Sequence, residues 1–157
     1  MQFTAMLEEM ILTSPISSPP ETAIREGGEP PIFLLIDDDT MVGRFIGHAA
    51  EECGYRAIRT SNFDSFVENF RRTEPVSVAV DLCVPGCDGV DIIRFLADEE
   101  YPGMVLIISG LDPRIIESAL RLGMALGLTM AEPLPKPFRL EHLARRLAAK
   151  TEEVATP

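Results

Sequence analysis

Val76-Ser77-Val78-Ala79-Val80 is a short valine-rich run that closes on Asp81, and a loop carrying Pro85, Gly86 and Gly89 follows directly. A run this apolar reads as a strand buried between layers. It delivers one carboxylate to its C-terminal edge, where open α/β sheets place their chemistry. A fold for this chain must therefore bury the valines and leave Asp81 reachable.

The rest of the chain alternates strand and helix around that run. Residues 32–36 (Ile-Phe-Leu-Leu-Ile) and 104–108 are unbroken apolar stretches, as strands covered on both faces should be. Residues 55–59 read as a more polar strand near an edge, and a short strand is expected over 130–134. A helix is expected over 40–53, ended by Gly54. A second follows an N-cap at Ser61, with Phe63, Phe66, Val67 and Phe70 at helical spacing. A third is marked by Val90, Ile93, Phe95 and Leu96, and a fourth runs from the Asp112-Pro113 pair to Leu126. The fifth covers 139–150 and buries Leu140, Leu143 and Leu147. Five βα units predict an α/β fold with a five-stranded, doubly wound parallel sheet.

The chain has 157 residues, enough for one core with terminal excess. Residues 1–30 read as an N-terminal extension, with an amphipathic stretch at 3–12 and a linker rich in Pro, Ser and Gly. Residues 31–150 form the expected domain, and 151–157 a tail. A net charge of −11 argues against a nucleic-acid partner. Three cysteines, an odd number without framework spacing, suit a reducing compartment. No stretch approaches the ~18 apolar residues of a membrane span, and the N-terminus lacks the basic start of a secretion signal. A cytoplasmic protein without a membrane partner is expected.

Each strong strand ends in a polar residue that an apolar core would not select: Asp37-Asp38-Asp39, Asp81, Ser109 and Lys136. In a parallel sheet these ends share one crevice. Clustered carboxylates repel unless a cation sits among them, and hard oxygen ligands completed by water suit Mg²⁺. A metal, a carboxylate nucleophile, a hydroxyl and a lysine together can hold a transferring phosphoryl group. Asp39 alone is better explained as a turn residue or helix N-cap.

With these residues in place the sequence resembles the receiver domain of two-component response regulators over residues 31–150. Asp37 and Asp38 match the family's paired acidic positions, Asp81 the phosphoacceptor, Ser109 the conserved hydroxyl, and Lys136-Pro137-Phe138 the Lys-Pro-Phe signature. Pro85 and Asp88-Gly89 match the loop after the phosphoacceptor. The resemblance implies a flavodoxin-like (βα)5 receiver fold and a cis Lys136–Pro137 bond. It further implies Mg²⁺ held by Asp38, Asp81 and the backbone carbonyl of Cys83, with Asp37 acting through water. Asp81 would accept a phosphoryl group from a sensor histidine kinase or phosphotransfer protein, with Ser109 and Lys136 holding its oxygens. Signalling would pass to a downstream effector protein by contact with the face of the fourth helix, fifth strand and fifth helix, which leaves room for a homodimer. With seven residues after Lys150, no output domain is expected, and no enzymatic activity beyond self-phosphorylation and autodephosphorylation.

Some positions depart from the family pattern. Pro133 stands three before the lysine, where the family usually has an aromatic switch residue. The stretch between Ser109 and Lys136 is longer than usual, which points to an extended fourth helix or a remodelled turn near 123–129. Cys83 and Leu111 flank the site at positions that influence phosphoryl lifetime in the family. Two other readings compete with this one. A haloacid-dehalogenase-type phosphatase would make Asp37 the nucleophile, but it gives Asp81 no role. A degenerate receiver acting only as a binding module would not need the intact acidic pocket. A metal site built on Cys83 and Cys87 lacks further ligands, since His48 and His142 fall on predicted helix faces.

Overall fold

The computed structural model describes residues 28–154, so the amphipathic stretch expected at 3–12 lies outside the described residues. Five strand positions lie in the order β2-β1-β3-β6-β7, with β8 continuing the last position along β6, and every pairing among them is parallel. These are β1 (Ile32–Ile36), β2 (Arg56–Thr60), β3 (Ser77–Val80), β6 (Met104–Ser109), β7 (Thr129–Met130) and β8 (Leu134–Pro135). The helices are α1 (Thr40–Glu52), α2 (Phe63–Thr73), α3 (Gly89–Asp98), α4 (Pro113–Ala125) and α5 (Leu140–Val154). The loop after Asp81 folds into a small antiparallel hairpin, β4 (Cys83–Val84) and β5 (Cys87–Asp88).

The unbroken apolar runs are explained by burial on both faces. Phe33, Leu35, Ala79, Leu106 and Ile108 pack with Ile46, Ala50, Leu143 and Leu147 of α1 and α5. Their neighbours Leu34, Ile36, Val78, Val80, Val105 and Ile107 pack with Phe66, Ile92, Ile93, Leu96 and Ile116 of α2, α3 and α4. Alternate residues thus face opposite helical layers, the period of two that a strand imposes.

Three expectations change in detail. The N-cap of α2 is Asn62, whose side chain accepts from the Ser65 amide at 2.8 Å, and not Ser61. The last helix, expected to stop at 150, continues to Val154, with no glycine or proline to interrupt it after Leu140. The fifth strand, expected as one piece over 130–134, is two. Met130 pairs with Val105, but Leu134 pairs with Ile108, so the outer strand uses one residue more than β6 over the same stretch. That is a bulge, and Pro133 inside it has no amide hydrogen to give the ladder. Arg146 of α5 fastens it: Nε donates to the Glu132 carbonyl at 3.0 Å, and the guanidinium lies 3.3 Å from the Glu132 carboxylate.

Candidate phosphoacceptor site

The site is assembled by strand register. Ile36 pairs with Val80 and Val80 with Ile107, so β1, β3 and β6 end side by side. The chain leaves each strand on a hydrogen bond to its neighbour: Asp81 N donates to Ile36 O at 3.0 Å, Asp37 N to Thr60 O at 3.1 Å, and Lys136 N to Ser109 O at 2.8 Å. The Lys136–Pro137 bond is cis, as the resemblance implied.

Asp37, Asp38 and Asp81 present carboxylate oxygens within 4.8 Å of one another. Asp37 and Asp81 are buried, at 5% and 4% exposure, whereas Asp38 is open to solvent. The Lys136 ammonium reaches both buried acids, donating to Asp37 Oδ2 at 2.9 Å and to Asp81 Oδ2 at 3.1 Å. The second oxygen of each acid accepts from backbone: Asp37 Oδ1 from Asp39 N at 2.9 Å, Asp81 Oδ1 from Cys83 N at 3.0 Å. Asp39 itself caps α1, accepting from the amides of Met41 and Val42.

Burial pushes the Asp37 carboxyl up, against the lowering effect of its bonds to Lys136 and the Asp39 amide; the nearby Asp81 charge adds to the rise. Burial pulls the Lys136 ammonium down most strongly, yet its bond to Asp37 and the charges of Asp37 and Asp81 together carry it above the usual lysine value. The two shifts have one meaning: a proton on the lysine is what makes the buried carboxylates tolerable. Three carboxylates against one ammonium still leave two negative charges. Oxygen donors of this kind with that residual charge fit a divalent cation such as Mg²⁺.

Ser109 is fully buried at the end of β6, and its hydroxyl accepts from the Leu111 amide at 3.2 Å. Cys83 opens the β4–β5 hairpin, whose tip is Pro85-Gly86 with Gly86 at φ +75, the pairing a tight turn of type II takes. Leu82, just before the hairpin, presses on Gly89, where a Cβ would lie 2.6 Å from Leu82 Cδ2; Asp88 then caps α3 through the Val90 amide. Sequence reasoning missed Thr60. Its buried hydroxyl donates to Leu35 O at 2.7 Å while its carbonyl receives Asp37 N, so it fixes the turn that aims Asp37. A threonine at the strand end opposite Ile36 was the available signal.

The sequence model of one family, described as the response regulator receiver domain, matches residues 33–148. The probable transcriptional regulatory protein TcrX of Mycobacterium tuberculosis is 27% identical over 128 residues, 80% of this chain and 51% of that protein. The transcriptional regulatory protein QseB of Escherichia coli O157:H7 is 31% identical over 123 residues, 74% of this chain and 51% of that protein. The chain thus spans about half the length of these two relatives. A solved response regulator from Colwellia psychrerythraea superposes with a TM-score of 0.67 at 25% identity, covering 78% of this chain and 98% of that one.

Proposed function

Since this chain belongs to the response regulator receiver family of two-component signalling, we propose that Asp81 is its phosphoacceptor and a sensor histidine kinase or phosphotransfer protein its donor. The observation that carries the reading is the single ammonium of Lys136 within 2.9 Å of Asp37 and 3.1 Å of Asp81. An Asp81 oxygen attacks the phosphorus of a phosphohistidine, the P–N bond breaks as the P–O bond forms, and the imidazole leaves. Lys136, already bonded to the attacking carboxylate, stays with the new phosphoryl oxygens. Ser109, one strand away, turns its hydroxyl from the Leu111 amide toward another. Asp37, Asp38 and Asp81, with the Cys83 carbonyl, would hold Mg²⁺, which supplies charge neutralisation for the phosphoryl oxygens. The effector would contact the face of α4, β7–β8 and α5, the same face a homodimer would use.

The phosphatase alternative finds no support in the family match, and it leaves Asp81 unused although Asp81 shares the lysine with Asp37. The test is phosphorylation by acetyl phosphate with Mg²⁺, read on a phosphate-affinity gel. The native chain shifts and Asp81→Asn does not. A retained shift in Asp81→Asn would move the nucleophile to Asp37 and overturn the reading.

Leu111, partly buried beside the site, offers attacking water no side-chain hydrogen bond. The acyl phosphate is therefore expected to persist after the donor is removed, in a time course on the same gel. Complete loss within seconds would refute this shielding.

A further inference from the structure

The lysine that serves the acidic cluster is carried by a strand with few backbone bonds to hold it. β8 is two residues long, and among the described strands it pairs only with β6. Pro133, Pro135 and Pro137 have no amide hydrogen, so between Glu132 and Phe138 only Leu134 and Lys136 can donate to the sheet. Lys136 N does so, to Ser109 O, and upstream Ala131 N donates to Val105 O at 2.9 Å. The surplus residue of the bulge falls between these two bonds. Leu134 is buried at 2% exposure, but apolar burial is non-directional and does not set how far along the strand Lys136 falls.

The directional hold comes from α5. Arg146 binds Glu132 twice, from Nε to the carbonyl at 3.0 Å and from the guanidinium to the carboxylate at 3.3 Å. The Arg146 side chain is 17% exposed and that of Glu132 77%, so the arginine is the enclosed member of the pair. Its helix neighbours Leu143 and Leu147 are buried in one cluster with Leu106 and Ile108 of β6. Arg146 thereby ties the bulge, by a second route, to the strand that ends at Ser109. The exposed carboxylate adds little on its own; the bond to the Glu132 carbonyl is the one that fixes backbone. Four positions on, the Lys136 ammonium sits 2.9 Å from Asp37 and 3.1 Å from Asp81. At a reacting centre a misplacement of about 1 Å can cost about a hundredfold in rate.

We propose that Arg146 is a positioning residue for phosphoryl transfer: by fastening the bulge at Glu132 it fixes the reach of β8 and holds Lys136 between Asp37 and Asp81. This role rests on the phosphoacceptor reading and adds to it a residue that touches none of the site's side chains. Without the fastening the ammonium spends less time on the carboxylates, and two effects run in opposite directions. Phosphoryl transfer slows, because the developing phosphoryl charge loses its cation. Divalent-cation affinity rises, because the ammonium no longer competes for the same oxygens.

The experiment compares the full native chain with Arg146→Met, which keeps an unbranched stem and removes every donor, and with Arg145→Met, the same loss of charge at the exposed neighbour. Phosphorylation by acetyl phosphate at saturating Mg²⁺ is followed on a phosphate-affinity gel, and Mg²⁺ binding by calorimetry. Arg146→Met is expected to slow phosphorylation about tenfold and to tighten Mg²⁺ binding about threefold. Arg145→Met should change either by less than about twofold. An unchanged rate in Arg146→Met, or Mg²⁺ affinity that stays level or falls with the rate, would make Arg146 a structural residue only and overturn the proposal. Should Arg146→Met fail to fold, Arg146→Lys decides, since it keeps the charge but cannot span both Glu132 oxygens. Smaller changes in the same two directions are expected, and native behaviour would overturn the proposal. Absence of phosphorylation in the native chain, or its persistence in Asp81→Asn, would instead overturn the phosphoacceptor reading. The Mg²⁺ affinities would still decide whether Arg146 places Lys136.

Discussion

The two ends of one sheet bury polar groups in opposite ways. At the C-terminal end Asp37, Asp81 and Lys136 are buried as ions that depend on one another. At the N-terminal end Tyr55 and Tyr101 are buried as neutral phenols, whose pKa burial raises. A neutral group can be buried with one bond or none and the fold persists. A buried charge without its partner costs much more. The ionic end is thus poised for exchange of one counter-charge for another, while the phenolic end is limited to packing.

The largest effect should come from removing the shared cation. Lys136→Met leaves two buried carboxylates facing each other, and at neutral pH without divalent cation it should cost about 3–5 kcal/mol. Urea denaturation of both proteins measures this. A cost below about 1 kcal/mol would mean that solvent, not Lys136, compensates Asp37 and Asp81.

The next effect sharpens the same end. A divalent cation bound by the folded state alone should stabilise by about 2.7 kcal/mol at a hundredfold excess over its dissociation constant. Thermal melts with Mg²⁺ against EDTA should show the shift for the native chain and lose most of it for Asp38→Ala, whose carboxylate is the exposed member of the cluster. An unchanged shift in Asp38→Ala would remove that residue from the metal set.

Much of this contrast is legible in the sequence. Unbroken apolar runs can be buried only between two helical layers, so 32–36 and 104–108 declared the parallel sheet, and Asp37, Asp81, Ser109 and Lys136 stood out as polar residues where the runs stop. What could not be read depends on partners distant in the chain. Ser61 and Asn62 are equally good caps on composition, and only the backbone path chooses Asn62. The bulge at Glu132–Pro133 is a matter of register against β6, and its fastening to Arg146 joins residues 14 apart across two elements. Thr60 aims Asp37 through a neighbouring strand, a relation that appears only once β1 and β2 are in register.

The smallest effect breaks the phenolic end into two opposite signs. The Tyr55 hydroxyl donates to the Leu147 carbonyl at 3.2 Å and so ties the start of β2 to α5. The Tyr101 hydroxyl is equally enclosed but unpartnered among the described residues. Replacing each by phenylalanine removes one oxygen and keeps the ring, so packing is nearly constant between the two variants. Tyr55→Phe should lose about 1 kcal/mol, the net worth of a buried hydrogen bond. Tyr101→Phe should gain a similar amount, because it deletes a buried donor whose hydrogen bond to water was given up on folding. Paired urea titrations with a common slope decide the matter. A loss in Tyr101→Phe equal to that in Tyr55→Phe would mean that its hydroxyl is bonded in solution, and the two phenols would no longer differ.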